Sequence, residues 1–188
     1  MKVQLRELME ESPIIAAIRD DAGLEEVLTL DLDVIFVLYG DLCTIPEIVR
    51  RCKEHGKIVF VHLDLISGLA LREAAVDFIH QFTQADGIIS TKPALMKRAR
   101  ELGLASVLRF FVLDSMAFET ISKQLAAGRP DFLEILPGTM PKIIRLLCSR
   151  VKTPVIASGL ISDKEDVMEL LDAGVMSISS TNPGVWFL

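Results

Sequence analysis

The sequence is poor in the residues that mark several common classes of protein. It contains three cysteines, Cys43, Cys52 and Cys148, an odd number without CxxC spacing, which favours reduced thiols over a disulfide framework. No apolar run approaches the roughly 18–20 residues of a transmembrane helix. The charged opening residues do not form a signal peptide. We therefore expect a cytoplasmic protein that makes no use of a membrane.

Catalytic and cofactor motifs are missing as well. The 11 glycines never form a GxG pattern, so nothing indicates a dinucleotide-binding loop. The 3 histidines show no HExxH or other metal-ligand spacing, and P-loop and serine-elbow motifs do not occur. The sequence therefore predicts no metal, no cofactor and no assembled set of catalytic residues.

Excess acidic charge is confined to the N-terminal part of the chain. The net charge is −6, and residues 1–33 account for all of it, because they hold three basic and nine acidic residues. Residues 34–188 hold 17 of each sign. The total charge does not favour a nucleic-acid partner, but a local basic surface is compatible with this distribution.

What the sequence does have is a regular series of short apolar runs, about one every 23 residues, which is the length of one strand, one helix and two tight loops. The eight runs cover residues 14–18, 34–38, 58–63, 87–90, 106–113, 132–136, 154–157 and 175–179. Continuous apolar runs are typical of buried parallel strands. They predict one α/β domain over residues 1–188, a small TIM-like (β/α)8 barrel with parallel strands. A doubly wound open sheet is the alternative.

The ends of the intervening helices are also marked. Capping boxes at Thr44–Glu47 and Ser162–Glu165 predict helix N-termini, and Pro93 and Pro141 suit early helical positions. Four glycines are expected to end helices in a left-handed conformation: Gly56, Gly103, Gly128 and Gly174. Few residues follow the last run, so the eighth helix should be reduced or missing. The apolar tail, residues 185–188, is expected either to plug the barrel or to contact a second subunit.

In a barrel of this type the functional site lies where the strands run into the following loops. The loops after strands seven and eight combine a glycine with several hydroxyl groups, and such loops often bind phosphate through backbone N–H groups. The predicted phosphate-binding residues are Ser158, Gly159, Leu160, Ser180, Thr181 and Asn182. The alternative is a tight turn with helix-capping hydroxyls.

Other polar residues at strand ends are candidates for further ligand contacts. The predicted set is Asp41, His62, Asp64, Lys92, Arg109 and Glu134. Arg109 and Glu134 each interrupt an apolar strand, so a structural ion pair is the alternative for them. His62 and Asp64 share one face of a strand because side chains alternate with period two, but His62 could equally be a satisfied core residue. Lys92 could be a solvated helix cap.

Two predicted helices are rich in basic residues. Their cations could form an RNA-binding face, and the alternative is an ordinary solvated barrel exterior. The residues concerned are Arg50, Arg51, Lys53, Lys97, Arg98 and Arg100.

Several long segments, in order along the chain, resemble the glycerol-uptake operon antiterminator family. They are VIFVLYGDLCTIPEIV, VFVHLDLISGL, DGIISTKPALMKRARELGL, LRFFVLDSMA, EILPGTMPKII, VIASGLISDKEDV and SISSTNPGVWFL. The resemblance runs from about Ile14 to Leu188, nearly the whole chain.

This resemblance implies a bacterial regulator with a small barrel fold that senses glycerol 3-phosphate and acts on leader mRNA to prevent premature transcription termination. It implies no reaction. The phosphate of the ligand would lie against Gly159, Ser180 and Thr181, and its hydroxyl groups could meet Asp64, Glu134 or Asp41.

Two other functions remain open at this point. One is a barrel enzyme, a lyase or isomerase acting on a small phosphate ester, with Asp64, Lys92 and Glu134 as acid/base candidates. The other is a protein-binding regulator that uses the acidic N-terminal segment. A homo-oligomer is compatible with each of these functions.

Overall fold

The structure, a computed structural model, describes residues 2–188, with side chains from residue 4 onward. Eight parallel strands close into a barrel in which each strand pairs with its neighbours in chain order. The strands are β1 (Ile14–Ile18), β2 (Val34–Val37), β3 (Ile58–His62), β4 (Gly87–Ser90), β5 (Ala105–Phe111), β6 (Phe132–Leu136), β7 (Val155–Ser158) and β8 (Ser177–Ser180). The predicted barrel is therefore confirmed, and the open sheet is wrong.

Helices surround the barrel and cover the outward-facing side of its strands. They are α1 (Lys2–Glu11), α2 (Asp21–Leu28), α3 (Ile45–Glu54), α4 (Glu73–Phe82), α5 (Pro93–Glu101), α6 (Ser115–Gly128), α7 (Pro141–Arg150), α8 (Lys164–Asp172) and α9 (Pro183–Trp186). A short 3₁₀ helix, Leu63–Leu65, follows β3. Among the helices over residues 2–188, none combines the length and the apolar character needed to cross a bilayer.

The four-residue helix α9 stands where a full eighth helix would lie, which confirms the expected reduction. Val185 and Trp186 are buried in the cluster that joins the outer strand faces to the helices. The indole Nε1 of Trp186 donates a hydrogen bond to the Ser180 carbonyl oxygen at 2.8 Å. The tail therefore packs outside β1 and β8 and does not plug the barrel, while Phe187 and Leu188 remain exposed.

The N-terminal end of the barrel is closed by α1 instead. Leu5 and Met9 are buried in one cluster with the inward-facing apolar side chains, Phe60 and Phe132 among them. The Ser177 hydroxyl on the inner face of β8 donates a hydrogen bond to the Met9 carbonyl oxygen at 3.1 Å. An apolar plug held by one polar anchor thus seals this end of the core.

Interior packing explains the glycine that begins β4. A Cβ on Gly87 would lie 2.4 Å from the ring of Phe60, far inside van der Waals contact. Phe60 in turn meets the ring of Phe36 edge-on, with centroids 5.4 Å apart. Gly87 is therefore needed to make room for the aromatic pair that fills the middle of the barrel.

Two expected capping boxes are wrong in detail. The Thr44 hydroxyl bonds Asp41 rather than capping α3, because the Asp41 carboxylate organises that loop. At α8 the N-cap is Asp163, whose carboxylate accepts a hydrogen bond from the Asp166 N–H at 3.0 Å.

One of the four predicted helix-ending glycines is also wrong. Gly56, Gly103 and Gly174 have positive φ, but Gly128 is the last residue of α6, and Arg129 after it takes the left-handed conformation with φ 48°. A Cβ on Gly128 would lie 3.0 Å from the backbone of Pro93. This glycine therefore serves the close approach of α6 to α5.

Candidate functional site

The C-terminal ends of the strands form what we call the barrel mouth. Strand registers place two layers of inward-facing side chains there, with four side chains in each layer as is usual for this fold. The upper layer is Ala17, His62, Arg109 and Ser158, and the lower layer is Phe36, Ile89, Glu134 and Ser179. The polar members lie on β3 and on β5 through β8, so the mouth has one polar side.

Arg109 and Glu134 form a buried ion pair, as one interpretation of the sequence predicted. Arg109 Nε donates to one carboxylate oxygen of Glu134 at 2.6 Å, and a terminal guanidinium nitrogen donates to the other at 3.1 Å. Glu134 is 0% exposed. Because this two-bond arrangement matches a planar guanidinium to a carboxylate, each charge compensates the other.

His62, the last residue of β3, and Asp64 lie close together in the mouth, although Asp64 belongs to the 3₁₀ helix that follows β3 and not to the strand as predicted. Their nearest atoms, Nδ1 and Oδ1, are 3.9 Å apart, too far for a direct hydrogen bond. The other Asp64 carboxylate oxygen accepts hydrogen bonds from the Thr91 hydroxyl and from the Thr91 N–H, the latter at 3.1 Å. Thr91 therefore fixes the orientation of Asp64.

The two groups differ in charge at neutral pH. Burial and, to a smaller extent, the positive charge of Arg109 lower the pKa of His62 to about 4, and the negative charge of Asp64 opposes them. Burial alone would raise the pKa of Asp64, but hydrogen bonds from Ser90 and Thr91 outweigh it and hold that pKa below its usual value. The mouth thus presents a neutral imidazole beside a carboxylate.

Unpartnered polar atoms are concentrated in the mouth. Among the described side chains, four buried polar atoms lack a hydrogen-bond partner, and all four lie here: His62 Nδ1, His62 Nε2, Asp64 Oδ1 and Ser179 Oγ. Buried polar groups are normally hydrogen-bonded, and leaving one unpaired costs about 1–3 kcal/mol. These atoms belong to the inward-facing residues His62 and Ser179 and to Asp64 beside His62, so this end of the barrel offers hydrogen-bonding groups that a ligand could satisfy.

The predicted phosphate loops lie beside the polar half of the mouth. Gly159 and Leu160 have positive φ, 81° and 62°, so the chain turns sharply after β7. Ser158 is buried, Thr181 is half-buried and Leu160 is 76% exposed. A turn of this kind can expose backbone N–H groups to an anion, which keeps the predicted phosphate site compatible with the structure.

Two of the predicted phosphate residues already have structural partners. The Ser180 hydroxyl donates to the Ile161 carbonyl oxygen at 3.2 Å. Asn182 accepts from the Gly184 N–H at 3.0 Å and donates to the Ser162 carbonyl oxygen, also at 3.0 Å. These side chains join the last loops together, and the Asn182 N–H also donates to the Ser180 hydroxyl at 3.1 Å, so Thr181 is the remaining hydroxyl of this segment for a phosphate contact.

Two predicted ligand contacts lie apart from the mouth cluster. The Asp41 carboxylate accepts hydrogen bonds from the N–H groups of Cys43 and Thr44 at 2.8 and 2.9 Å, and these bonds hold its pKa below the usual value. Lys92 is the N-cap residue of α5, and its Nζ donates to the Leu71 carbonyl oxygen at 3.4 Å. Both roles are structural.

The predicted RNA face is not an open row of positive charge. The basic residues of α3 and α5 have partners, which are Glu47 and Glu54 for Arg50, Glu25 for Arg51, Asp86 for Lys53, Glu101 for Lys97, Asp77 and Glu101 for Arg98, and the Arg129 carbonyl oxygen for Arg100. Helix α4 lies between α3 and α5 in chain order around the barrel. Any RNA contact would therefore have to exchange these partners for phosphates.

Sequence reasoning missed two members of the site, Thr91 and Ser179. Ser179 lies in the run SISS, where composition gives no sign of which serines face inward. Counting in twos from Ser177, whose side chain reaches the inner plug, would have placed Ser179 and Thr181 on the inner face.

A cavity of about 540 Å³ lies at the opposite end of the barrel. Arg6, Lys152 and Cys148 are among the residues that line it, together with the loops before β7 and β8. A small ligand bound there would lie far from the mouth, near two basic side chains.

Comparisons with known proteins identify one family over nearly the whole chain. The glycerol-3-phosphate responsive antiterminator family matches residues 14–186. The Escherichia coli K12 protein YgcP is 43% identical over 184 residues, which cover 98% of this chain and 96% of that protein.

Two crystal structures share the fold at significant sequence identity. The glycerol uptake operon antiterminator regulatory protein of Listeria monocytogenes has a TM-score of 0.89 and 30% identity, covering 93% of this chain and 94% of that one. A glycerol uptake operon antiterminator-related protein of Thermotoga maritima has a TM-score of 0.83 and 35% identity, covering 94% and 99%. The chain belongs to the glycerol-3-phosphate responsive antiterminator family, as its sequence motifs predicted.

Proposed function

We propose that this protein is a cytoplasmic antitermination regulator that binds glycerol 3-phosphate, or a similar small phosphate, in the barrel mouth and binds leader mRNA on its outer surface. The observation that carries the proposal is the group of unpartnered buried atoms on His62, Asp64 and Ser179. His62 and Ser179 point into the barrel and Asp64 lies beside His62, at the end of the barrel where this fold commonly binds phosphorylated ligands.

Phosphate binding is assigned to the loops after β7 and β8. The left-handed turn at Gly159–Leu160 supports this assignment, because it lets backbone N–H groups approach an anion closely. Ser158, Thr181 and the backbone of Ser180 complete the proposed pocket, whereas the Asn182 N–H already donates to the Ser180 hydroxyl at 3.1 Å. The charge of Arg109 is already compensated by Glu134, so a backbone cradle suits the phosphate better than that guanidinium.

RNA binding is assigned to the basic residues of α3 and α5. Their ion pairs are largely exposed, and exposed pairs contribute little to stability, so exchange of a carboxylate for an RNA phosphate is energetically accessible. Each phosphate neutralised would release a counterion and make binding dependent on salt. The ligand can regulate this step only by binding the RNA-competent conformation more tightly than the other conformation.

The test is leader-RNA binding with and without glycerol 3-phosphate across a range of salt concentrations. We expect tighter binding with the ligand and a loss of affinity as salt rises. Replacing Arg50 and Arg98 together by Gln should reduce the salt dependence by roughly two phosphate contacts. The control variant Lys142→Gln, on α7, should leave the salt dependence unchanged. Ligand-independent RNA binding at every salt concentration would overturn the sensing proposal.

The second candidate function is a lyase or isomerase acting on a small phosphate ester. The buried neighbours His62 and Asp64 favour it, because such a pair can move a proton. Against it, Glu134 is held by Arg109, and Lys92 caps a helix. Turnover of a phosphorylated triose or pentose that is lost in Asp64→Asn would establish the enzyme and displace the regulator.

A further inference from the structure

The inward-facing groups of the barrel mouth suit hydroxyl groups better than they suit a phosphate. We infer that the polyol end of a small phosphate ester points down into the barrel, where Ser179, His62 and Asp64 recognise its hydroxyl groups. The phosphate stays at the Gly159–Leu160 turn. The inference rests on the proposed function and adds to it the orientation of the ligand and the residues that determine specificity.

Charge is the first reason for this orientation. The part of the mouth around His62 holds two carboxylates, Asp64 and Glu134, and one guanidinium, Arg109, whose charge is compensated by Glu134 through two hydrogen bonds. His62 adds no positive charge at neutral pH, since burial lowers its pKa to about 4. A phosphate placed here would be repelled by a net negative charge in a poorly solvated space, where such repulsion is strong.

Hydrogen-bond chemistry is the second reason. A neutral imidazole has one donor and one acceptor nitrogen, and a serine hydroxyl is both donor and acceptor. A ligand hydroxyl can satisfy either kind of group, whereas an ionised phosphate oxygen only accepts. With His62 Nδ1 and Asp64 Oδ1 3.9 Å apart, one hydroxyl oxygen can lie within hydrogen-bond distance of both atoms.

The sizes of the side chains are the third reason. Ser179 is 0% exposed, but the upper-layer residues on its two flanking strands are small, Ala17 on β1 and Ser158 on β7. The large side chains of the upper layer, His62 and Arg109, lie on β3 and β5. The smallest side chains of the upper layer therefore flank Ser179, on the side of the mouth next to the Gly159–Leu160 turn.

These groups should reject ligands that lack hydroxyls. A site built to pair with a hydroxyl leaves its own buried groups unpaired when that hydroxyl is absent, and such sites discriminate strongly. Propyl phosphate has the charge and carbon chain of glycerol 3-phosphate without its hydroxyl groups, so it isolates their contribution.

The experiment is calorimetric titration of the full chain with glycerol 3-phosphate, propyl phosphate and inorganic phosphate. We expect glycerol 3-phosphate to bind at least roughly tenfold more tightly than propyl phosphate. Ser179→Ala and Asp64→Asn should each reduce this ratio severalfold while propyl phosphate binds with unchanged affinity. The matched control is Ser177→Ala, a buried inward-facing serine on the same strand whose hydroxyl bonds the N-terminal plug, and it should leave the ratio unchanged.

Different failures have different meanings. If both esters bind wild type equally, or if Ser179→Ala and Asp64→Asn weaken both esters to the same extent, the hydroxyl-recognition role is wrong while phosphate sensing survives. If none of the three compounds binds, the proposed function and this inference fall together. Thermal unfolding of each variant identifies any loss of affinity that comes from misfolding.

Discussion

The two ends of this barrel differ in the kind of side chain that is buried there. At the N-terminal end, α1 packs Leu5 and Met9 against apolar side chains, and the inward-facing Ser177 hydroxyl donates a hydrogen bond to the Met9 carbonyl oxygen. At the C-terminal end, charged and polar side chains are buried, and some of their atoms have no partner. The apolar packing at the N-terminal end stabilises the fold. The unpartnered polar groups at the C-terminal end do not, and we infer that they serve ligand binding.

Removing one member of the buried ion pair should produce the largest effect. Arg109→Met leaves Glu134 charged and uncompensated in the interior, so we expect the free energy of unfolding in urea to fall by about 3–5 kcal/mol. Replacing both partners, Arg109→Met with Glu134→Leu, should recover most of that loss. A loss of less than about 1 kcal/mol in the single variant would show that Glu134 is well solvated and is not held in a dry interior.

Truncating the plug should separate stability from ligand binding. Met9→Ala removes a fully buried side chain from α1, and we expect it to cost about 2–4 kcal/mol of unfolding free energy in the same assay. Affinity for glycerol 3-phosphate should be unchanged, because the change is at the far end of the barrel. A large loss of affinity in a folded Met9→Ala protein would mean that the two ends are coupled.

Stability should also depend on pH through His62. Its pKa is lowered to about 4 in the folded state, from an ordinary value of 6.5, so between these values the unfolded chain binds the extra proton. Stability is therefore fully present above pH 6.5 and falls as the pH decreases, by about 1.5 kcal/mol between pH 6.5 and pH 5.

Urea unfolding at several pH values measures this dependence. His62→Asn should remove most of it, whereas the control His80→Gln, an exposed position on α4, should not. A pH profile that is the same in wild type and His62→Asn would contradict a buried neutral imidazole.

Much of the fold could be predicted because its signals are local and repeated. The spacing and apolar character of the runs predicted all eight strands, with ends that differ by at most two residues. Gly128 was misassigned because its role depends on the approach of α5, which no local pattern records.

The candidate site was predictable where a charge interrupts an apolar strand, as at Arg109 and Glu134. Ser179 was missed because its neighbours in the sequence are also serines, so composition does not single it out. The partners of the basic helices were missed for a different reason. Pairs such as Lys53–Asp86 and Arg98–Asp77 join separate elements and depend on how those elements pack around the barrel.

The most direct test of the central claim, that the mouth is the ligand site, is a crystal structure of the protein with glycerol 3-phosphate. The account predicts the phosphate at the Gly159–Leu160 turn and the hydroxyl groups within hydrogen-bond distance of Ser179, His62 and Asp64. Ligand found instead in the 540 Å³ cavity at the N-terminal end, beside Arg6 and Lys152, would contradict it.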